Sequence, residues 1–523
     1  MRAVQPTKAL AILCFMLNPG PAAGQAEPTP TTAPPPRAMA SFDLPRMPGE
    51  GDRLILTRLP AGDRLAIRRP PGPPRLPALP LGTNLLAEAA AAIPFGVEER
   101  CRVEAREGGI DLICTAGTSS AGLLLRFDAR YPRGAAASGA IGARGGPGFR
   151  AQFGRLGDDA DDARALAGGE QALPLPGDGS GLAAQLVILA PPGGGTLRID
   201  RVALAAAAAP RTVPAPAGAW AWEPALWQRR GAALLRDAAG RGLSRLSVTL
   251  AVQDGRIAHR RALAAFIREA GRQGIAIEAV EGDPDMIFPR GLASAAARAR
   301  AIAAYQRSAA PDARLAGIQY DIEPYTLAGW GREPAGYHGW SHAVRTLARS
   351  AGAPVHLVLP FWIAEEEEGP AFLREIAAAV SGITIMAYRT DAPRIFAAAE
   401  PLLSWGAAAG KPVRVALETG PVAEETEESF AQAPSGRLAV VAGEDGTVRA
   451  TLLATVAAIP GAKMYAPAGR TTARPERISF LGNDERMMET ARALATPLGA
   501  WPAFAGFSFH GLRWGALEGR IAP

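Results

Sequence analysis

Residues 315–324 read LAGIQYDIEP, an apolar run of strand length that ends in two carboxylates and a proline. It is one of eight such runs in about the last 300 residues, and stretches with a helical period of 3.6 separate them. This alternation predicts an α/β protein with a parallel (β/α)8 barrel, which we place at residues 217–523. The predicted strands are residues 219–224, 245–250, 275–280, 315–324, 355–362, 382–389, 413–420 and 504–511.

One long gap interrupts the barrel pattern, at about residues 421–500, between the seventh and eighth runs. It contains a predicted hairpin over residues 437–452 and a predicted helix that begins near Asn483. Barrels grow their cleft walls from loops that follow strands, so we expect this insertion to border a cleft.

The segment before the barrel has a different pattern. Residues 81–209 contain short apolar runs separated by Gly, Pro and Asp turns, such as GLLLRFDARY and GTLRIDRVAL, which predicts a smaller all-β sandwich. The phrase at residues 199–204, IDRVAL, resembles the last strand of carbohydrate-binding sandwich modules. The sandwich could bind sugar or only support the barrel. Residues 25–80 are rich in proline and predict a linker.

The first 24 residues have the order of a secretory signal peptide. Arg2 and Lys8 precede the apolar run at residues 9–17, and small residues follow it. We therefore expect a secreted or periplasmic protein. Cys101 and Cys114 lie on two predicted strands that flank the turn at residues 107–109, so an oxidising compartment favours a disulfide between them, with two buried free thiols as the alternative.

The charge pattern argues against a nucleic-acid partner. The formal charge of +6 comes from arginine, because Lys8, Lys411 and Lys463 are the only lysines among 56 basic residues. No nucleic-acid-binding motif or basic patch with interleaved aromatic residues occurs. No later segment has the roughly 18 apolar residues of a membrane-spanning helix. His338 and His342 are one helical turn apart without an evident third ligand, so neither a metal nor a cofactor is expected.

Polar and aromatic residues collect at the carboxyl ends of the predicted strands, where barrel enzymes hold their working groups. Carboxylates for proton transfer and aromatic faces for sugar stacking are typical of a glycosidase, with a carbohydrate as the partner. The strand-end residues are Trp222, Glu223, Asp321, Glu323, Tyr325, Trp362, Tyr388, Arg389, Glu418, His510 and Trp514.

Asp321 and Glu323 are the strongest candidates among these residues. They are two apart on a strand and therefore point to the same side. Two neighbouring carboxylates repel when both are ionised, so we expect one of the two pKa values to be raised and one proton to be retained near neutral pH.

Three motifs resemble the chitinase-like family 18 glycoside hydrolases. GIQYDIEPY is similar to their strand-4 signature, ITIMAYR to their strand-6 signature and FAGFSFHGLRW to their strand 8. The resemblance implies that Glu323 is the general acid, that Asp321 orients it and stabilises the acetamido group of the substrate, and that Tyr388 donates to that group. Gln319 and Arg389 stand where that family has aspartates.

A second resemblance is to the retaining glycosidases with two catalytic glutamates. Their acid precedes a proline at the end of strand 4 and their nucleophile ends strand 7, which matches Glu323 and Glu418. Carboxyl groups roughly 5–5.5 Å apart permit direct displacement through a glycosyl-enzyme. Both resemblances imply an exported glycoside hydrolase that acts with retention and uses Glu323 as acid. The alternative is a catalytically silent barrel that binds glycan.

Several conspicuous residues are expected to have structural roles. Trp330, Trp340 and Trp405 are predicted to pack in helices or loops, whereas Trp222, Trp362 and Trp514 are predicted to form sugar platforms. The acidic run at residues 365–368 is expected in a solvated loop or a first helical turn.

Overall fold

The computed structural model of the chain describes residues 36–44, 46–58, 63–68, 78–79, 81–87, 89–127, 134–135, 137–154, 160, 162–176, 185–206, 216–327, 330–331, 335–444 and 446–514. The predicted signal peptide and parts of the predicted linker lie outside these residues. Within them, no helix is long and apolar enough to cross a membrane.

A closed barrel of eight parallel strands forms the C-terminal part of the chain, as predicted. Each observed strand overlaps one of the eight predicted runs. The barrel strands, numbered here in chain order, are β1 (Ala217–Ala221), β2 (Arg245–Thr249), β3 (Ala276–Glu281), β4 (Gly317–Tyr320), β5 (Val355–Pro360), β6 (Gly382–Met386), β7 (Val413–Glu418) and β8 (Phe504–His510).

Helices cover the outside of the barrel, so its strands are buried on both faces. All residues of β5, β6 and β7 are buried, which explains why these runs are largely apolar and do not alternate between apolar and polar residues. The helices are α1 (Pro224–Gly240), α2 (Arg260–Arg272), α3 (Pro289–Ser308), α4 (Tyr337–Ala351), α5 (Gly369–Ile376), α6 (Ala392–Ala409), α7 (Pro475–Ile478) and α8 (Asp484–Leu498).

Short elements lie between the barrel strands and helices. A two-stranded ribbon follows β2, and single turns of 3-10 helix occur in several loops. The ribbon strands are Val252–Gln253 and Arg256–Ile257, and the 3-10 turns are Pro284–Ile287, Pro311–Ala313, Pro324–Thr326 and Phe361–Ala364; a further 3-10 turn, Val97–Glu99, lies in the predicted sandwich.

A buried ion cluster crosses the amino-terminal end of the barrel interior. Arg414 on β7 donates two hydrogen bonds of 2.7 Å to Glu278 on β3, and Arg245 lies 3.6 Å from the same carboxylate. These bonds outweigh the effect of burial and keep the pKa of Glu278 below its ordinary value. Burial and the neighbouring Arg414 lower the pKa of His356 to about 4, so this imidazole is neutral at pH 7.

The predicted sandwich is present as two five-stranded antiparallel sheets that share one apolar core. One sheet has the order Arg164–Ala165, Arg150–Gly154, Gln185–Leu189, Ala121–Phe127 and Ala89–Gly96. The other has the order Gly169–Leu173, Ala137–Gly145, Gly195–Ala206, Gly109–Cys114 and Cys101–Arg106.

The predicted disulfide joins Cys101 and Cys114. The two cysteines are direct cross-strand partners in the hairpin, with their Cα atoms 4.1 Å apart. Because the two sulfur atoms are bonded, the alternative of two free thiols is wrong. Both side chains are buried, and the bond closes one edge of the sandwich core.

The prediction of a linker over residues 25–80 is wrong for Ala38–Leu44, Arg53–Arg58 and Arg64–Arg68, which are strands. Three strands in this stretch join four strands of the insertion in a seven-stranded antiparallel sheet. The runs RLILTR and RLAIR are apolar enough to bury Leu54, Leu56 and Leu65 against that sheet, despite the prolines around them. The sheet order is Ala38–Leu44, Val448–Ala457, Gly436–Ala442, Lys463–Ala473, Glu425–Gln432, Arg53–Arg58 and Arg64–Arg68.

The insertion also contains the elements predicted for it. The hairpin pairs Gly436–Ala442 with Val448–Ala457, and the Gly446 amide closes its turn on the Gly443 carbonyl at 3.0 Å. The helix α8 begins after Asn483, whose side chain accepts the Arg486 amide. The Phe480 amide donates to the Glu418 carbonyl, so the insertion returns to the carboxyl end of β7.

Candidate active site

The carboxyl ends of β4, β6, β7 and β8, with the residues directly after them, are called the barrel mouth here. Asp321 follows the last residue of β4 and Glu323 lies two positions further. Tyr388 follows β6 by two residues, while Glu418 and His510 end β7 and β8. Closure of the barrel brings these predicted residues to one rim.

Asp321 has a carboxylate oxygen that is buried but not hydrogen-bonded. Its backbone amide donates to the Glu281 carbonyl at 2.8 Å, which extends the β4 ladder by one residue. Its Oδ1 has no hydrogen-bond partner among the described residues. Burial and the charge of Glu323 raise the pKa of Asp321 to about 7, against the lowering effect of His510. The predicted raised pKa of the pair therefore falls on Asp321.

Glu323 is held by a tyrosine from the turn that follows it. Residues Pro324–Thr326 form one turn of 3-10 helix, and the Thr326 hydroxyl and amide both donate to the Glu323 carbonyl. The turn brings the Tyr325 hydroxyl to 2.5 Å from Glu323 Oε1, to which it donates. Burial and Glu323 hold the pKa of Tyr325 well above its ordinary value, so this hydroxyl keeps its proton.

Tyr388 lies near the three carboxyl groups of the mouth, those of Asp321, Glu323 and Glu418. Its ring stacks on His510 with a centroid distance of 6.2 Å. Burial raises the pKa of Tyr388 first, and the charges of Asp321, Glu418 and Glu323 raise it further. Its hydroxyl therefore keeps its proton at neutral pH and can donate a hydrogen bond.

Glu418 has partners for both of its oxygens. Oε1 accepts the Gly420 amide at 2.5 Å and Oε2 lies 2.6 Å from His510 Nδ1. The residue is 4% exposed. A nucleophile needs an oxygen directed at the substrate, and these contacts direct both oxygens to the protein.

His510 connects Glu418 to a tryptophan. The Trp222 indole donates to His510 Nε2 at 2.9 Å, which assigns the imidazole proton to Nδ1 and makes Glu418 its acceptor. Burial lowers the pKa of His510, but the hydrogen bond and charge of Glu418 and the charges of Asp321 and Glu323 raise it overall. A second ring proton would displace the Trp222 indole, so the hydrogen-bond arrangement favours the neutral ring.

Aromatic residues form one wall of the mouth beside Glu323. Tyr325 contacts Trp362 edge to face at 5.1 Å, and Trp362 is half-buried. Trp330, Trp340 and Trp405 pack against the barrel core as predicted. Trp514 is 2% exposed, so the prediction that it forms a sugar platform is wrong. Its aromatic character serves the core, which sequence pattern does not distinguish from stacking on a ligand.

Two further predicted binding residues have protein contacts of their own. Glu223 is exposed and accepts the Ala225 amide at 3.3 Å, which makes it the N-cap of α1. Arg389 donates to the Tyr388 carbonyl at 2.7 Å, and its guanidinium lies 4.5 Å from the Phe361 ring centroid. A sugar-binding role for either residue remains a prediction.

Gln319 occupies the position of the first acid in the family 18 signature and is buried. Its amide nitrogen donates to the Thr384 hydroxyl on β6 at 2.9 Å. It therefore links β4 to β6 beneath Asp321 and Tyr388, without adding a further charge to the mouth.

The sequence analysis missed Arg64, which reaches the mouth from outside the barrel. Its guanidinium donates to the Tyr325 carbonyl at 2.6 Å. The alternating run RLAIR was the available signal for a strand here; it pairs with the neighbouring run RLILTR, and only that run pairs with a distant segment, Glu425–Gln432. Among the residues that the structure describes, no group of three His, Cys, Asp or Glu could hold a metal ion. His338 and His342 lie in α4.

No protein-family model matches the chain, and no curated protein sequence matches it. Solved structures of several glycoside hydrolases are similar to it. The spore cortex-lytic enzyme SleL of Bacillus cereus is 9% identical, covers 60% of this chain and 73% of its own, and gives a TM-score of 0.32. A chitinase of Chromobacterium violaceum is 14% identical, with coverage of 56% and 93% and a TM-score of 0.30.

An endo-1,4-beta-D-xylanase of Clostridium thermocellum, which includes a second module, is 9% identical. The similarity covers 68% of this chain and 82% of the xylanase, with a TM-score of 0.27. These similarities are too distant to assign an activity. The chemistry of the site is therefore argued from the residues at the mouth of this barrel, which are Asp321, Glu323, Tyr388 and the hydrogen-bonded pair of Glu418 and His510.

Proposed function

We propose that the protein is a glycoside hydrolase that cleaves a polysaccharide or oligosaccharide with retention, with Glu323 as the general acid. One observation carries the proposal: the carboxyl group of Asp321, with an unpartnered buried oxygen, lies beside Glu323 at the mouth of the barrel. A buried carboxyl group without a partner is costly to the fold, and such costs are concentrated at functional sites.

The first step transfers one proton and exchanges one bond. The proton that the pair of Asp321 and Glu323 retains passes to Glu323, which donates it to the glycosidic oxygen as the bond from that oxygen to the anomeric carbon breaks. The acetamido oxygen of the same sugar attacks the anomeric carbon and forms a cyclic intermediate. Asp321 accepts the acetamido N–H and stabilises the positive charge that develops there. The Tyr388 hydroxyl donates to the acetamido oxygen and orients it for attack.

The second step restores the enzyme. Glu323, now a carboxylate, accepts a proton from water as the water oxygen attacks the anomeric carbon. The bond to the acetamido oxygen breaks, and the product keeps the configuration of the substrate after two inversions. Tyr325 supports both steps, because its hydrogen bond to Oε1 fixes the carboxyl group that gives and then takes the proton.

The two-glutamate route is less well supported. It requires Glu418 as a free nucleophile, whereas Gly420 and His510 occupy its two oxygens. Asp321 has the spare oxygen that a substrate group could use. We therefore favour the substrate-assisted route, in which Glu418 holds His510 and does not touch the sugar.

The experiment is a glycan panel assayed for both binding and release of new reducing ends. Wild type should cut at least one N-acetylated glycan, and Glu323→Gln should bind the same glycan without cutting it. Glu365→Gln, in the exposed acidic run, is the matched control and should keep full activity. Binding without cutting by wild type would favour the alternative of a silent glycan-binding barrel. A covalent 2-fluoro-glycosyl adduct on Glu418 would favour the two-glutamate route.

We also propose that the protein is exported. The disulfide between Cys101 and Cys114 supports this location, because such bonds persist in oxidising compartments. Mass spectrometry of the protein from the cell envelope and medium should find a mature N-terminus near Gln25. Recovery of the uncut chain from the cytoplasm would contradict the proposal.

A further inference from the structure

Two strands near the amino terminus bring an arginine to the barrel mouth. Arg53–Arg58 and Arg64–Arg68 are antiparallel partners, and the first of them pairs with Glu425–Gln432 of the insertion. This N-terminal strand pair is therefore anchored to the loop that follows β7. Arg64 is the first residue of its strand, and its guanidinium extends to the turn after β4.

We infer that Arg64 is a positioning residue, which holds the turn of Tyr325 and, through the Tyr325 hydroxyl, the carboxyl group of Glu323. This inference rests on the proposed role of Glu323. Two contacts in series support it: Arg64 Nη1 donates to the Tyr325 carbonyl at 2.6 Å, and the Tyr325 hydroxyl donates to Glu323 Oε1 at 2.5 Å.

The turn that carries Tyr325 is short enough to need this support. Residues Pro324–Thr326 form a single 3-10 turn, which has poorer hydrogen-bond geometry than an α-helix. The Tyr325 carbonyl points out of that turn to Arg64, so a charged donor fixes the end of the turn that the strand β4 does not reach. A fixed Tyr325 occupies Glu323 Oε1 and leaves Oε2 for the glycosidic oxygen.

The surroundings of Arg64 favour this fixed position. Its side chain is mostly buried, and burial lowers its pKa, although arginine stays charged at neutral pH. The carboxylates of Glu366 and Glu427 and the charge of Arg68 act on it from the loop after β5 and from the seven-stranded sheet. Arg64 therefore lies beside the turn and within reach of charges from the loop after β5 and from the seven-stranded sheet.

The test compares three full-length variants for kcat, KM and hydrogen exchange. Arg64→Ala removes the donor, Arg64→Lys keeps a cationic donor, and Arg53→Ala removes an exposed arginine from the neighbouring strand as the matched control. In Arg64→Ala we expect kcat to fall about tenfold with KM nearly unchanged, since about 1.4 kcal/mol of alignment is lost. Arg64→Lys should recover most of kcat, and Arg53→Ala should equal wild type.

Hydrogen exchange separates this inference from the proposed function. The Thr326 and Leu327 amides donate within the turn, to the Glu323 and Pro324 carbonyls. We expect both amides to exchange about tenfold faster in Arg64→Ala and at the wild-type rate in Arg53→Ala. Unchanged exchange and kcat in Arg64→Ala would overturn the inference. If wild type cuts no glycan, the proposed function fails, and the exchange rates alone decide whether Arg64 holds the turn.

Discussion

The two acidic sites at the mouth of the barrel differ in the hydrogen bonds that their carboxylate oxygens make. At the end of β4, Asp321 keeps a buried oxygen without a hydrogen bond, and Glu323 is held through one oxygen by Tyr325. At the end of β7, Glu418 has a hydrogen bond for each oxygen. Sequence position made Asp321 and Glu323 the strongest candidates and left Glu418 open as a second catalytic glutamate. Their hydrogen bonds separate a carboxyl group available to a substrate from one that serves the protein.

The two sites also differ in their effect on the stability of the folded state. Glu418 stabilises its surroundings, because it accepts two hydrogen bonds and orders the ring of His510. Asp321 destabilises the folded state at neutral pH, because its carboxyl group is buried beside another acid. A residue that lowers stability without a compensating bond is a stronger functional candidate than one that raises it. The predictions below test this contrast, from the largest effect to the smallest.

Glu323→Gln should have the largest effect. Glutamine keeps an oxygen for the Tyr325 hydroxyl but cannot donate the acid proton, so kcat should fall by about 10⁴. The measurement is reducing-end release on the glycan that wild type cuts. Substrates with a good leaving group should be affected less, because they need less help from an acid. Equal loss on both kinds of substrate would contradict the assignment of Glu323 as the acid.

Asp321→Asn should lower kcat by a factor on the order of 10²–10⁴, as expected for a positioned charge-stabilising group. Asparagine fills the same space but cannot stabilise the positive charge of the cyclic intermediate. Steady-state kinetics on the same glycan measure the loss. Near-wild-type kcat, together with a large loss in Glu418→Gln, would reverse the contrast between the two sites.

The same Asp321→Asn variant should be more stable than wild type at pH 7. The folded-state pKa of about 7 lies above the ordinary value of 3.8, so the folded state holds a proton that the unfolded state loses. Wild-type stability therefore falls as pH rises from about 4 to 7, by roughly 2–4 kcal/mol from this group. Urea denaturation of both proteins at pH 4 and pH 7 should show the gap widening with pH. A constant gap would contradict the raised pKa.

Glu418→Gln should keep kcat within about tenfold of wild type but lose about 1–3 kcal/mol of stability. The glutamine amide cannot accept from both the Gly420 amide and the His510 ring without placing two donors together. Removal of the charge should also lower the pKa of His510, since burial then acts without Glu418. Urea denaturation measures the first effect and NMR titration of the imidazole the second. An unchanged His510 titration would show that the pair is not coupled.

The barrel could be predicted because each of its strands and helices is indicated by residues that are close together in the sequence. Each strand is a short apolar run flanked by helical periodicity, and the strand-end residues follow from where the runs stop. Asp321, Glu323 and Tyr388 were placed correctly for this reason. Their hydrogen bonds depend on rotamers and on neighbouring loops, so the unequal states of Glu323 and Glu418 could not be read from spacing.

The errors concern contacts between distant parts of the chain. RLILTR and RLAIR contain strand-forming residues and pair with each other, but prolines surround them and the strand that anchors RLILTR begins at Glu425. Trp514 follows β8 and has the residue type of a sugar platform, yet its surroundings make it core. In both cases contacts with residues distant in sequence decided the role.

The seven-stranded sheet has a consequence for the order in which the protein matures. Arg53 lies opposite Ala431, and nearly all of the sandwich and barrel is synthesised between them. At roughly 5–20 residues per second, the first strands wait tens of seconds for their partners. Pairing over such a separation is also slow to form by itself. The strand pair that carries Arg64 therefore cannot be anchored to the insertion, and so held beside the turn of Tyr325, until the chain has been made as far as Glu425–Gln432.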